Sequence, residues 1–330
     1  MKEIKILTAI CLFMISTISA ATLTDSISAG EILTDIVPDS IDSAKTPADP
    51  VTKKRTFFRR FADYFVNANK PHPNKKFDFS IIGGPQYSST TSLGIGLVAA
   101  GVYRMDQHDT ITQPSVMSVY GNVSITGFYL LGVRGTNIFP GDKYRLLYNL
   151  YFFSFPSNFW GWGYHDGANK DNKSTYLRLQ NQVKLDFLFR LSHNLYLGPM
   201  VSFDYVSGRN FSKPELLHGQ EKTTLTTGVG ASISYDTRDL ITNAYKGIYL
   251  KFEQGIYPSF IGNKYAFYMT DVIVDWYKKI WKGGVIAVDF HSKFNYGDVP
   301  WTMMSRLGGV ARMRGYYEGR YRDKQMIEIQ

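Results

Sequence analysis

The sequence predicts an all-β fold, a transmembrane antiparallel β-barrel, on three observations. Apolar and polar residues alternate with period two over segments of ten residues or more, the length a tilted strand needs to cross a bilayer. Strands of soluble sandwiches are typically only about five or six residues. The connections between these segments are by turns long and short, the pattern of outer-membrane barrels with long loops outside and tight turns inside. Aromatic residues make up 15% of the chain against 20% charged residues, and membrane barrels place such side chains in belts at the two water interfaces. Beyond the first twenty-odd residues no apolar run approaches the roughly 18 residues of a spanning helix, so strands have to make the crossing.

Residues 1–21 read as an export signal, with Lys2 and Lys5, an apolar run from Ile6 to Ile15 and small residues up to Ser19-Ala20-Ala21; cleavage is expected after Ala21. The single cysteine, Cys11, lies inside this run, so the mature chain has neither a disulfide framework nor a thiolate metal site. Residues 22–75 read as a polar tether. Six acidic side chains against Lys45 lie between Thr22 and Thr52, which makes the remainder more basic than the net +9 of the whole chain. A basic body suits nucleic acid or an anionic lipid surface, and export disfavours the first. Near 56–66 the spacing of Phe57, Phe58, Phe61, Tyr64 and Phe65 predicts a short amphipathic helix with Arg59, Arg60 and Asp63 largely opposite. It would lie at anionic headgroups or pack as a plug against the rest of the protein.

Residues 76–330 form the barrel portion. The clearest strand interleaves Leu177, Leu179, Val183, Leu185, Phe187 and Phe189 with Arg178, Gln180, Gln182, Lys184, Asp186 and Arg190. With turns read from Gly, Pro, Asn and Asp clusters, strands are expected at 77–86, 92–104, 115–126, 128–138, 143–154, 175–191, 194–206, 224–236, 246–257, 264–279 and 283–296. A loop over about 297–323 follows, and a twelfth strand begins near Lys324. The long connections follow the fifth, seventh and eleventh strands.

Two stretches are more particular than barrel statistics. One runs from Gly228 through Tyr235-Asp236-Thr237-Arg238-Asp239. The other is Leu307-Gly308-Gly309-Val310-Ala311-Arg312-Met313-Arg314-Gly315-Tyr316, followed by Gly319-Arg320-Tyr321-Arg322-Asp323. Together they make the chain resemble the BamA/TamA-like outer-membrane assembly family, also called the bacterial surface antigen family. The segment Phe155 to Gly163 looks like the same family's aromatic-glycine loop after strand five. The resemblance implies a sixteen-stranded barrel, of which about eleven strands and the start of a twelfth are present here. It also implies that the long loop after strand eleven, with its Arg-Gly-Tyr tip, folds into the lumen, where Arg314 pairs with wall carboxylates on strands twelve and thirteen and Gly315 lets the backbone turn sharply. Glu328 lies on the beginning of strand twelve, and the acid partner of Arg314 is left unassigned. Only about 55 mostly polar residues separate Ala21 from Lys76, so no periplasmic POTRA domain fits there, and the chain is read as a fragment or a truncated form.

The site residues singled out are therefore Arg312, Arg314, Gly315, Tyr316 and Asp323 in the loop motif, and Asp236, Arg238 and Asp239 at the end of strand eight. The latter three form either a mutually neutralising cluster or a contact with a client or partner. No catalytic constellation, cofactor or metal site is expected. No Gly-x-Ser-x-Gly elbow occurs. Gly94-x-Gly96 and Gly228-x-Gly230 sit in alternating strands and open no helix, and His72, His108, His165, His193, His218 and His291 lack ligand spacing. Trp276, Tyr277 and Trp281 with Lys278, Lys279 and Lys282 read as an interface girdle.

The resemblance implies a non-enzymatic protein of the bacterial outer membrane that assists insertion of other outer-membrane proteins. Its partners would be outer-membrane lipid, unfolded clients and periplasmic chaperones, with no nucleic acid. A dedicated secretion pore or channel on the same barrel is the alternative, and a purely structural surface barrel is a third reading.

Overall fold

A strand that is apolar on one face and polar on the other satisfies its backbone in hydrocarbon only by pairing with a neighbour on each side. A computed structural model shows this pairing; it describes residues 77–88, 92–106, 109, 112–309 and 311–330. The expected export signal, tether and amphipathic helix lie outside the described residues.

The strands are β1 (Phe77–Ser88), β2 (Ser92–Tyr103), β3 (Ser115–Ser124), β4 (Tyr129–Ile138), β5 (Tyr144–Phe159), β6 (Ser174–Ser192), β7 (Leu195–Arg209), β8 (Thr223–Asp236), β9 (Lys246–Tyr257), β10 (Phe267–Trp281) and β11 (Gly284–Gly297), with a short helix α1 (Gly163–Ala168) between β5 and β6. After β11 come two-residue strands β12 (Ser305–Arg306) and β13 (Arg322–Asp323), which pair with each other, and then β14 (Gln325–Ile329). Strands β1 to β11 and then β14 form one twelve-stranded sheet in chain order, with antiparallel neighbours throughout, so β14 is its twelfth strand. The described strands do not close the barrel, since β1 and β14 occupy the two ends of this order.

Two of the differences from the expected boundaries have a visible cause. β5 continues five residues beyond Ser154, because Phe155–Phe159 pair with Ser174–Arg178 of β6 despite Pro156. Half of the expected aromatic-glycine loop is therefore strand. β10 begins at Phe267, three residues late, because the Asn263 side chain donates to the carbonyls of Thr227 and Pro258 and holds the preceding residues as a loop.

The pleat gives the sheet two opposite faces. A cross-strand row of Leu185, Val201, Val229, Ile256, Tyr268 and Tyr296 runs over six strands, and each of these side chains is exposed. On the other face charged groups are buried, with Glu253 2% and Asp204 3% exposed. This inside-out distribution is that of a barrel in lipid. The polar face is concave. Lys184 of β6 reaches Glu253 of β9 at 2.6 Å, and Lys251 of β9 reaches Asp186 of β6 at 2.6 Å. At about 4.8 Å per strand, three strands of separation would hold these groups roughly 14 Å apart on a flat sheet. Lys251 also contacts Glu253 at 2.7 Å, so each of these four charges meets an opposite one. Gly228 leaves the space taken by the Tyr257 ring, where a Cβ would lie 2.3 Å from a ring carbon.

Candidate functional site: the long loop and its seat in the lumen

The connection from β11 to β14 opens with two apolar stretches, Val299-Pro300-Trp301 and Met303-Met304, and these residues carry it into the barrel. Val299, Met303 and Met304 pack with Met200, Tyr257, Phe267 and Met269 on the inner wall. Trp301, 1% exposed, packs with Phe159, Tyr176, Val206, Leu216 and Leu217. Its polar atoms are met: the Trp301 backbone N–H donates to Gln220 Oε1 at 2.6 Å and the indole N–H to the Glu221 carbonyl at 2.9 Å. An indole is buried only where its N–H finds such a partner. The Thr302 and Thr224 hydroxyls are 2.7 Å apart. The β7–β8 connection thus holds the loop.

Beyond this anchor, β12 and β13 form a ribbon. Arg322 is buried, donates to the Trp301 carbonyl at 2.9 Å and lies over the rings of Phe159 and Trp301 at 5.0 and 5.6 Å. Burial pushes its guanidinium down to about 10. Arg306 pairs with Glu318 at 2.8 Å and holds that carboxyl below the usual carboxylate range. Asp323 is exposed, and its carboxylate accepts the Lys324 backbone N–H at 2.7 Å.

The tip is fixed by Arg312. Its Nε donates to Asp289 Oδ2 on β11 at 2.6 Å. Burial works against the Arg312 charge, but the Asp289 carboxylate more than offsets it, so its pKa lies above the ordinary arginine value. Gln330 completes the seat: it donates to the Ala311 carbonyl at 3.1 Å and accepts the Met313 N–H at 3.1 Å. Arg314, the arginine expected to pair with the wall, is exposed and has no carboxylate partner among the described residues. It lines the same open hollow as Asp275, Asp289 and Arg312. The sharp turn also sits elsewhere than expected. Met313 carries the positive φ of 46°, whereas Gly315 does not, and the turn closes through Tyr316 N–H to the Met313 carbonyl at 3.0 Å. Tyr316 is exposed, with its ring edge-on to Tyr321 at 6.0 Å.

In the same cross-strand row as Asp289, through Asp275 and Tyr249, Asp236 near the short-turn end is the centre of a buried cluster. It accepts from Arg238 Nε at 2.9 Å and from Arg145 Nη1 of β5 at 3.1 Å. Arg145 forks onto Asp142 with two bonds of 2.8 Å and lies over the Tyr196 ring at 4.1 Å. Gln113, from the β2–β3 connection, donates to the Arg238 carbonyl at 2.9 Å. Asp239 stands apart and caps the β8–β9 turn, accepting the backbone N–H groups of Leu240, Tyr245 and Lys246. Asp236 and Arg238 therefore neutralise each other inside the rim, joined by Arg145.

The sequence reading missed His291. Its Nε2 is 3.1 Å from Asp271 and its Nδ1 2.9 Å from Glu328, so the acid of β14 meets a histidine and not a loop arginine. The partners lie 20 and 37 residues away in sequence, and only the alternation of β10 and β11 hinted that all three share the inner face. Neither these three nor any other group of His, Asp and Glu side chains among the described residues is placed to hold a metal ion.

A family model described as the Omp85 superfamily domain matches residues 135–326. Among solved structures, the crystal structure of BamA from Haemophilus ducreyi lacking POTRA domains 1–3 is similar at 13% identity with a TM-score of 0.44, over 74% of this chain and 47% of that one. The chain thus spans about half the length of that protein. No curated protein matches it.

Proposed function

We propose, from the premise that this chain belongs to the Omp85 superfamily and is a β-barrel protein of the bacterial outer membrane, that it assists the insertion of other outer-membrane proteins without enzymatic chemistry. The observation that carries this reading is β1. As the first strand of the sheet it stands where the barrel has to close, and it pairs with β2 along its whole length. Gly83, Gly84 and Pro85 interrupt it with residues that weaken a ladder. A ladder weakened in this way opens more readily at the closure, and an edge opened in hydrocarbon is costly and is relieved by any strand that adds to it. A client strand, delivered unfolded by periplasmic chaperones, would gain its first partner there.

The loop favours work at the edge over passage through the middle. Its apolar segment 299–304 occupies the long-loop end of the lumen, and Lys184, Asp186, Lys251 and Glu253 bridge the inner wall below.

Full-length protein in liposomes should accelerate the folding of a urea-unfolded outer-membrane barrel over empty liposomes, read by the shift in gel mobility of the unheated client. A large stable conductance in planar bilayers, with no acceleration of client folding, would overturn the proposal in favour of a channel.

A further inference from the structure

We propose that the outward face of β9, β10 and β11 at the short-turn end binds the headgroup of an anionic phospholipid, with Lys246 and Lys278 as its seat. The register places Lys246 directly opposite Lys278. Both belong to the lipid-facing set, since Trp276 and Ile248 pair on the same face one step further in, followed by Val274 and Leu250. Like charges directly opposite on one face are unfavourable. Neither lysine has a carboxylate partner among the described residues, and both are exposed. A ligand carrying negative charge would remove the conflict.

The surroundings fit a lipid. Ile286 stands beside Lys278, and toward the membrane centre the face continues through Trp276, Ile248 and Val288, all exposed, a strip on which acyl chains can lie. On the water side Trp281, 65% exposed, lies across Gly284. A Cβ at Gly284 would sit 2.1 Å from the indole Cε2, so this glycine opens the place where the indole rests. Aromatic rings on both sides of a lysine pair, at the boundary of an apolar face, match a phosphate at headgroup depth. Lys279 points elsewhere, with its ammonium 5.6 Å from the Tyr245 ring centre. This site is independent of the assembly role and survives if that role fails.

The test uses full-length protein exchanged from micelles holding equal phosphatidylglycerol and phosphatidylcholine, with retained lipid counted by native mass spectrometry. Phosphatidylglycerol should be retained with a preference of about thirtyfold, set by two lysines attracting one anionic headgroup. The preference should fall to parity in Lys246→Gln/Lys278→Gln and persist in Lys246→Arg/Lys278→Arg and in Lys279→Gln. Equal retention of the two lipids, a preference unchanged in the glutamine pair, or displacement by inorganic phosphate as readily as by excess phosphatidylglycerol would overturn the assignment. A second measurement needs no lysine variant: phosphatidylglycerol with brominated chains should quench the wild-type tryptophan fluorescence more than brominated phosphatidylcholine. That excess should vanish in Trp276→Phe/Trp281→Phe, and its absence from the wild type would also count against the site.

Discussion

Arg145 on β5 donates to Asp236 at the end of β8 at 3.1 Å, across two intervening strands, with side chains 7% and 3% exposed. Because Asp142 and Arg238 extend the pair at both ends, the β4–β5 and β8–β9 turns are tied together at one rim. Removing one member of a buried ion pair leaves its partner charged and unmatched, at a cost of about 3–5 kcal/mol. Asp236→Ala should therefore lower the urea midpoint of the folded barrel, followed by the heat-dependent gel shift. The double variant Asp236→Ala/Arg238→Met should recover part of that loss, because Asp236 is the only carboxylate among the described residues that Arg238 bonds, whereas Arg145 keeps Asp142. A full effect on client folding with no loss of stability would instead mark Asp236 as a contact residue.

Arg312 and Arg314 stand two residues apart in the loop tip and differ in what they touch. The first bonds Asp289 at 2.6 Å, while the second is exposed. A hydrogen bond between charged groups contributes about 1.5–3 kcal/mol. Arg312→Ala should increase trypsin cleavage within residues 311–323 of the membrane-embedded protein, and Asp289→Ala should do the same. Arg314→Ala should leave protection of the loop unchanged. Equal sensitivity of the two arginine variants would mean that Asp289 is not the dominant seat.

The strands were legible because their cause is local: alternation on a pleated backbone is written in consecutive residues, and β9 was read to its last residue. The extension of β5 was hidden because Pro156 and Asn158 signal a turn on their own, and only the β6 partner overrides them. The loop motif was recognisable as a motif, but which arginine docks depends on where Asp289 and Gln330 stand in space. His291 and the lysine–carboxylate contacts between β6 and β9 are set by the curvature of the sheet, which no short-range spacing encodes. Trp301 carried no periodic signal, since its burial depends on Phe159, Tyr176 and the β7–β8 connection closing around it.

Acid should loosen the loop ribbon. Arg306 beside Glu318 holds that carboxyl below its usual range, so the folded form binds the proton less readily than the unfolded one. The resulting stabilisation is fully present above the unfolded glutamate pKa of about 4.3 and is lost as pH falls through the lower folded value. Because the Glu318 side chain is about half exposed, the effect is only about 0.2–1 kcal/mol. Hydrogen exchange of residues 311–319, corrected for intrinsic pH dependence, should show reduced protection below that value. Glu318→Gln should have the reduced protection already at neutral pH and no further change on acidification.

Trp301 provides the strongest single test of the lumen anchor. Its ring meets Phe159 and Tyr176 edge-on at 5.4 and 5.6 Å, its indole N–H and backbone N–H are both bonded to the β7–β8 connection, and its carbonyl receives Arg322. Truncation to alanine leaves a cavity, a cost of about 3–5 kcal/mol for a buried tryptophan. It also strips Arg322 of one of the two rings over which its guanidinium lies. Trp301→Phe keeps an aromatic ring but leaves the Glu221 carbonyl without its donor, so the penalty should be smaller, about 1–3 kcal/mol. The order wild type, Trp301→Phe, Trp301→Ala should appear in the urea midpoint and in the rate of trypsin cleavage at Arg306, while the strand content seen by circular dichroism stays constant. If Trp301→Ala opened the loop no more than Arg314→Ala does, the tip contacts at Asp289 and Gln330 would hold the loop in place without the apolar anchor.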